Sequence, residues 1–182
     1  MMPYSDEEIL GMIKQPDTRE KGYRMLVQAY QKRVYGIARK MVIIHEDADD
    51  VTQNTFVKAC KHIHKFQSNS SLFTWLYRIA TNESLNHLEK RNRRFFLPID
   101  DHHEAMENYL SSSSLISGEQ IEIRLQKALL KLPSKQRLVF NLRYFEELSY
   151  EEMSKITDTS VGALKASYHH AVKKIENELQ TE

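Results

Sequence analysis

Apolar residues recur every three or four positions through most of this chain, which is the period of an amphipathic α-helix. One such stripe runs through Leu26, Tyr30, Val34, Ile37 and Met41. The 182 residues include only five glycines and four prolines, too few for the many turns of an all-β fold. The sequence therefore predicts an all-α protein.

The first part of the chain is predicted to form a small bundle of four helices. Ser5 and Glu8 make a capping box for a short opening helix, and the next helix is expected over about 22–42. A third helix is expected to start at Asp47, and a fourth to run over about 72–92 after a polar loop. Their apolar stripes can share one core.

The last part of the chain is predicted to hold four more helices around a second core. One helix ends before Pro133, and Ser134 is expected to cap the helix after it. Ser149 and Glu152 form a second capping box, and Ser160 is expected to cap the last helix.

Charge is strongly segregated along the chain, although the net charge is only +1. The segment 58–96 carries eight basic and two acidic residues, whereas 97–122 carries six acidic residues and no lysine or arginine. The net charges of 1–57 and 123–182 are −1 and +2. The near-neutral total is therefore compatible with a local basic surface.

The acidic stretch also contains four consecutive serines, Ser111–Ser114, and has little apolar periodicity. Such a composition cannot bury enough surface to offset its ordering entropy. We therefore expect a flexible linker over 96–117, between one domain at 1–95 and another at 118–182. The predicted fold class is all-α, with two small helical domains joined by that linker. A further hypothesis is that the acidic linker docks on the basic segment 58–96, mimics DNA there and so inhibits the protein.

Location and redox state are predicted from what the sequence lacks. Its longest aliphatic run, Met41–Ile44, is far short of the roughly 20 apolar residues of a membrane-spanning helix. The acidic start, Ser5–Glu8, is not typical of a signal peptide. The single cysteine, Cys60, permits no internal disulfide and is expected to be an apolar filler. We therefore expect a cytoplasmic protein without membrane insertion.

The last two helices have the pattern of a helix-turn-helix: a short capped helix, a brief turn and a second amphipathic helix. If the apolar stripe of the last helix is buried, its opposite face carries small, polar and cationic side chains, namely Lys165, Ala166, Ser167, His169, His170, Lys173 and Lys174. In a major groove, polar side chains read base edges and lysines meet phosphates. The last helix is therefore predicted to be a DNA-recognition helix.

The fourth helix offers a second basic surface. It carries Arg78 and ends in the basic run 90–94, followed by Phe95 and Phe96. Two basic surfaces joined by a tether favour DNA contacted at two spaced sites.

Several stretches resemble bacterial RNA polymerase sigma factors, in particular the small extracytoplasmic-function group that keeps only the second and fourth sigma domains. In the expected order, they are Asp47–Phe56 (DADDVTQNTF), Phe73–Asn82 (FTWLYRIATN), Leu132–Phe140 (LPSKQRLVF), Leu148–Met153 (LSYEEM) and Ser160–Lys165 (SVGALK). The resemblance covers about residues 20–95 and 120–178.

The resemblance implies a sigma factor that binds core RNA polymerase at its clamp coiled coil and flap. It also implies recognition of the −10 and −35 promoter elements and help in melting the duplex. No covalent chemistry is implied, so we expect no enzyme activity, no catalytic residue, no metal and no cofactor. An anti-sigma protein that holds such a factor inactive is a further implied partner.

Residue roles are implied position by position in the first domain. The polymerase-binding face maps to Asp49, Asp50, Gln53 and Asn54, with Lys58 nearby. Capture of an unstacked −10 base maps to the loop residues Gln67, Ser68, Asn69 and Ser70. Contact along the −10 DNA maps to the fourth helix, at Arg78, Asn82, Asn86, Lys90, Arg91, Arg93 and Arg94. Trp75 is expected to serve the core rather than to stack on a base.

In the second domain, the resemblance places the −35 contacts on the last helix. They map to Ser160, Lys165, Ala166, Ser167, His169, His170, Lys173 and Lys174. Ser167 and His170 stand where arginines are common in the family, so a standard −35 consensus is in doubt. Asp158 stands where the turn usually has glycine, and we expect the turn to be intact because Asp tolerates a left-handed conformation.

Two other functions would need features of their own in the sequence. A metal-dependent hydrolase would need ligands, and the candidates are His62 and His64, His102 and His103 with Glu104 and Glu107, and His169 and His170. No pair has the i,i+4 spacing of a helical zinc site, and no phosphate loop or nucleophile motif is present. A DNA-binding regulator that acts without polymerase would have no reason to carry the polymerase-binding residues of the sigma family on its third helix.

Overall fold

The computed structural model describes residues 4–67, 70–95 and 120–181. Within these ranges the chain forms eight α-helices and no strand, which confirms the predicted all-α class. The helices are α1 (Asp6–Lys14), α2 (Arg19–Val42), α3 (His45–His62), α4 (Leu72–Phe95), α5 (Gln120–Leu130), α6 (Ser134–Tyr144), α7 (Tyr150–Thr157) and α8 (Val161–Thr181). The predicted linker at 96–117 lies outside the described residues.

Two compact units divide the chain between Ser84 and Leu85, inside α4. In the first unit, the apolar stripes of α1, α2, α3 and the first half of α4 share one core. Its buried members are Ile9, Ile13, Met25, Leu26, Tyr30, Val34, Phe56, Ala59, Ile63, Leu72, Leu76 and Ala80. The 3.6-residue period brings these side chains to the inner face of each helix.

The crossing of α1 and α2 depends on the absence of a side chain at Gly22. A Cβ atom there would lie 2.7 Å from Cγ1 of Ile13 and 2.8 Å from its backbone nitrogen. Backbone cannot give way as a flexible side chain does, so the two helices approach this closely only over a glycine.

Asp6 joins three helices of the first unit. One carboxylate oxygen accepts a hydrogen bond from the Tyr30 hydroxyl, and the other accepts the backbone N–H of Leu72 at 2.9 Å. Burial and the neighbouring carboxylate raise the pKa of Tyr30 well above its ordinary value. Asp6 therefore caps the start of α4 from a position 66 residues earlier in the chain.

The turn between α2 and α3 is tighter than the sequence predicts. Buried Ile43 takes a φ of 67°, and the backbone N–H of Ala48 donates to the carbonyl of Ile44 at 3.0 Å. Helix α3 consequently begins at His45, so the predicted start at Asp47 is wrong by two residues. The acidic side chain of Asp47 still lies in the first turn, where it suits the helix dipole.

The second unit is organised around the long helix α8, which packs against α5, α6 and α7. The buried residues of its core are Ala128, Leu129, Leu132, Phe140, Ala171 and Ile175. Partly buried side chains pack around them, namely Leu125, Phe145, Tyr168, Val172 and Leu179. Met153, Ile156 and Leu164 are also buried and belong to α7 and α8.

The start of α6 differs from the prediction. Pro133 is the N-cap, with its carbonyl accepting the N–H of Arg137 at 3.0 Å, and Ser134 is the first helical residue and makes no cap bond. Ser134 is therefore wrong as a cap, because the extended backbone of Pro133 already occupies that position. Helices α2 and α4 are also longer than expected, beginning at Arg19 and ending at Phe95 respectively.

Local capping predictions are confirmed elsewhere. The Ser5 hydroxyl accepts the N–H of Glu8 while the Glu8 carboxylate accepts the N–H of Ser5, and Ser149 and Glu152 repeat the arrangement. These hydrogen bonds lower the pKa of both glutamates.

No helix within the described ranges is both long and apolar enough to cross a membrane.

Candidate functional site

The four side chains assigned to polymerase binding lie together on the exposed face of α3. All are exposed, and their spacing places them within two adjacent turns: Asp49, Asp50, Gln53 and Asn54. Oδ2 of Asp49 lies 3.3 Å from Nδ1 of His45. The hydroxyl of Tyr35, on α2, lies 3.0 Å from the same nitrogen. The face combines two carboxylates with two amides and is available to a partner.

A groove between α2 and α3 borders this face, and sequence reasoning did not find it. It has a volume of ≈ 610 Å³, and Asp49 and Gln53 form part of its rim. Val57 lies on the same row of α3, one turn beyond Gln53, and is 47% exposed. The signal in the sequence is an apolar residue at i+4 from Gln53, outside the buried stripe of α3.

Lys58, expected near this face, is paired within the unit. Its ammonium contacts the carboxylate of Glu83 on α4, and the Glu83 side chain is only 12% exposed. The pair links α3 to α4, so the lysine charge is already compensated.

The loop before α4 is only partly described. Gln67 is exposed and Ser70 is half-buried, whereas Ser68 and Asn69 lie outside the described residues. At the end of the loop, the Ser71 hydroxyl accepts the N–H of Thr74 at 3.1 Å and so caps α4.

Four of the side chains assigned to −10 DNA form a row along α4 that is inclined to the helix axis. Arg78, Asn82, Asn86 and Lys90 are all exposed and follow one another at intervals of four residues. Arg91 is half-buried and lies to one side of this row. Arg93 and Arg94 fall in the last turn of α4, and their side chains lie outside the described residues.

Trp75 is half-buried on α4, and its ring packs against the core of the first unit. Its centroid lies 5.4 Å from that of Phe66. This position agrees with the expected core role.

The second unit contains the predicted helix-turn-helix in α7 and α8. Asp158 ends α7 with φ 55° and ψ 36°, which confirms the expected left-handed turn, and its N–H donates to the carbonyl of Ser154 at 2.9 Å. The Ser160 hydroxyl accepts the N–H of Ala163 at 3.3 Å, so this side chain caps α8, as predicted.

The outward face of α8 carries the side chains assigned to −35 DNA. Six of the eight are exposed and lie beyond the cap: Lys165, Ala166, His169, His170, Lys173 and Lys174. Ser167 is half-buried at the edge of this face. The rings of His169 and His170 have centroids 5.9 Å apart. Donors and cations therefore cover a continuous surface on one helix.

The candidates for other chemistry are dispersed. Within 4–67, 70–95 and 120–181, no three His, Cys, Asp or Glu side chains come together as a metal site, and His102 and His103 lie outside these ranges. Burial raises the pKa of the Cys60 thiol, which favours the unreactive protonated form.

Comparison with known families agrees with the motifs. The family model for sigma-70 region 2 matches residues 26–94, and that for sigma-70 region 4 matches residues 122–175. The RNA polymerase sigma-H factor of Pseudomonas aeruginosa is 30% identical, over 96% of this chain and 94% of its own length. The ECF RNA polymerase sigma-E factor of Escherichia coli strain K12 is also 30% identical, over 97% of this chain and 95% of its own.

Solved structures share the fold. The sigma factor RpoE of Bartonella quintana, in complex with the anti-sigma factor NepR, matches with a TM-score of 0.68 and 22% identity, over 89% of this chain and 99% of that one. CnrH, in complex with the cytosolic domain of CnrY, matches with a TM-score of 0.69 and 22% identity, over 98% and 99%. Sigma factors in general catalyse no reaction themselves. This chain belongs to the sigma-70 family, in its extracytoplasmic-function group, and acts in promoter-specific initiation of transcription by RNA polymerase.

Proposed function

We propose that two domains divide the work of initiation, with polymerase and −10 contacts in a domain at 1–95 and −35 contacts in a domain at 118–182. The observation that supports this division is that the four residues assigned to polymerase are all exposed on one face of α3, and six of those assigned to −35 DNA are exposed on α8. The segment 96–117 would then act as the tether that sets the effective concentration of the second DNA contact.

The polymerase contact is proposed for the exposed α3 face. Asp49, Asp50, Gln53 and Asn54 would meet polar and cationic groups of the clamp coiled coil, and Val57 would add an apolar contact beside the groove. Charged partners at the edge would steer association, while the apolar contact would be buried at the centre. The second domain would contact the polymerase flap.

The DNA contacts are proposed for α4 and α8. The row Arg78, Asn82, Asn86 and Lys90 would lie along the −10 strand, with an extruded base captured by Gln67, Ser68, Asn69 and Ser70. Arg91, Arg93 and Arg94 would add positive charge at the end of α4. Extruding a base costs a few kcal/mol, and binding energy from these contacts would offset that cost. Melting would therefore need no covalent step, and we propose that the protein is not an enzyme.

The −35 contact is proposed for α8. Lys165, Ala166, His169 and His170 would face the major groove, whereas Lys173 and Lys174 would meet phosphates. Because histidine replaces arginine at 170, the bases read at this position would differ from a consensus read by arginine. Ser160 would act mainly as the helix cap, with Ser167 at the edge of the surface.

Regulation by an anti-sigma protein is proposed from the solved structures of similar fold, which hold NepR and the cytosolic domain of CnrY. Such a protein would cover the polymerase- and DNA-binding faces. We place the protein in the cytoplasm, where its polymerase works.

The division of roles can be tested by measuring affinity for core polymerase and for promoter DNA in the same set of variants. Asp50→Ala with Gln53→Ala should weaken core binding at least tenfold, and Glu7→Ala, an exposed acidic control on α1, should not. Lys165→Ala with His170→Ala should weaken −35 binding by the assembled holoenzyme and leave core affinity unchanged. If the α8 variant lost affinity for core polymerase as strongly as it lost −35 binding, the division would be refuted.

A further inference from the structure

The ring of Tyr150 is a meeting point of three consecutive helices in the second unit. Tyr150 is the first residue of α7 and is half-buried. Cζ of Arg143, from α6, lies 5.3 Å from the ring centroid, and Nζ of Lys165, from α8, lies 5.6 Å from it. Both distances fall within the range of cation–π attraction, which extends to about 6 Å.

Tyr150 is flanked by fixed structure on two sides. Its backbone follows Ser149, whose capping box with Glu152 fixes the start of α7. On its other side, Nη1 of Arg143 donates to the carbonyl of Leu148 at 2.9 Å, which anchors the guanidinium beside the ring. The ring is thus carried on a fixed backbone and lies beside an anchored guanidinium.

Lys165, in contrast, is exposed and carries a long side chain with many rotamers. Ordering such a side chain when DNA binds has an entropic cost. A half-buried aromatic ring that attracts the ammonium restricts these rotamers before DNA arrives.

We propose that Tyr150 is a positioning residue for the −35 contact: its ring holds the Lys165 ammonium at the start of the recognition helix. This inference rests on the proposed role of Lys165 in −35 binding. Tyr150 need not contact a base, because it acts through the lysine.

The test compares Tyr150→Leu, which removes the ring, with Tyr150→Phe, which keeps it. Promoter affinity of the reconstituted holoenzyme should fall roughly two- to fivefold for Tyr150→Leu and stay near the original value for Tyr150→Phe. Equal losses in the two variants would overturn the proposal, because the hydroxyl rather than the ring would then carry the effect.

A double-mutant cycle with Lys165→Met separates positioning from a purely structural role. Tyr150→Leu should cause no further loss once Lys165 is replaced. Additive losses would overturn the proposal while leaving the −35 role of Lys165 intact. If Lys165→Met alone leaves promoter affinity unchanged, the −35 role of Lys165 and the proposal both fail.

A spectroscopic measurement checks the contact directly in the free, full-length protein. The ε-methylene protons of Lys165 should show an upfield ring-current shift that persists in Tyr150→Phe and disappears in Tyr150→Leu. A shift unchanged in Tyr150→Leu would show that the ring does not hold the lysine and would overturn the proposal.

Discussion

Replacing Asp6 tests whether one carboxylate holds three helices of the first unit together. Asp6→Ala removes the acceptor of the Tyr30 hydroxyl and of the Leu72 N–H, which lies 2.9 Å away. Hydrogen bonds to charged groups contribute about 1.5–3 kcal/mol each. Tyr30 is 1% exposed, so its hydroxyl would lose its partner in a buried place. We expect the free energy of unfolding of the first unit to fall by about 3–5 kcal/mol.

The single tryptophan makes the assay specific. Trp75 packs against the core of the first unit, so its fluorescence in a urea titration reports unfolding there. Glu7→Ala is the matched control, because Glu7 is exposed in the same first turn of α1 and its loss removes only the dipole contribution, about 0.3–1 kcal/mol. If Asp6→Ala and Glu7→Ala destabilise equally, the carboxylate does not join the helices.

Three further predictions concern stability and one concerns binding. Gly22→Ala should destabilise the first unit by about 1–2 kcal/mol in urea unfolding, because the new Cβ meets the backbone of α1. Gly36→Ala is the control: its Cβ has open space, so it should stabilise the same helix by about 0.5–1 kcal/mol. Because the pKa of Tyr30 is raised in the folded protein, its contribution to stability is complete below about pH 10 and is lost as the pH rises further. Urea midpoints should therefore fall more steeply above pH 10 in the original chain than in Tyr30→Phe. Arg137→Met should destabilise the second unit by about 1–3 kcal/mol, measured by circular dichroism, because it removes the donor to the carbonyls of Leu130, the last residue of α5, and Leu132 just after it. Lys135→Met, at an exposed position, should have little effect. Promoter binding should weaken steeply with salt because phosphates are neutralised, and a flat response in filter binding would contradict the cationic surfaces.

The features that the sequence predicts best are local. Both capping boxes and the left-handed Asp158 are confirmed because their hydrogen bonds and dihedral angles involve residues within one turn. The apolar stripes predicted the buried faces for the same reason. Boundaries failed where a neighbouring residue took the expected position, as Pro133 did before Ser134.

Features that depend on distant residues could not be predicted. The bond from Leu72 to Asp6, the ion pair of Lys58 with Glu83 and the groove beside Val57 all require the packed helices. Arg137 is similar: it reads as one more surface cation, yet it is buried, and burial together with the charge of Arg91 lowers its pKa to about 10. The family resemblance predicts which faces bind polymerase and DNA, and the structure shows which of the described side chains on those faces are accessible.

The most direct test of the central claim is run-off transcription with purified core RNA polymerase, with and without this protein, on promoter fragments selected by the holoenzyme. We expect a discrete start site that appears only when the protein is added and that is lost when either the −10 or the −35 element is replaced. Failure of the protein to bind core enzyme, or transcripts that do not depend on it, would contradict its role in promoter-specific initiation.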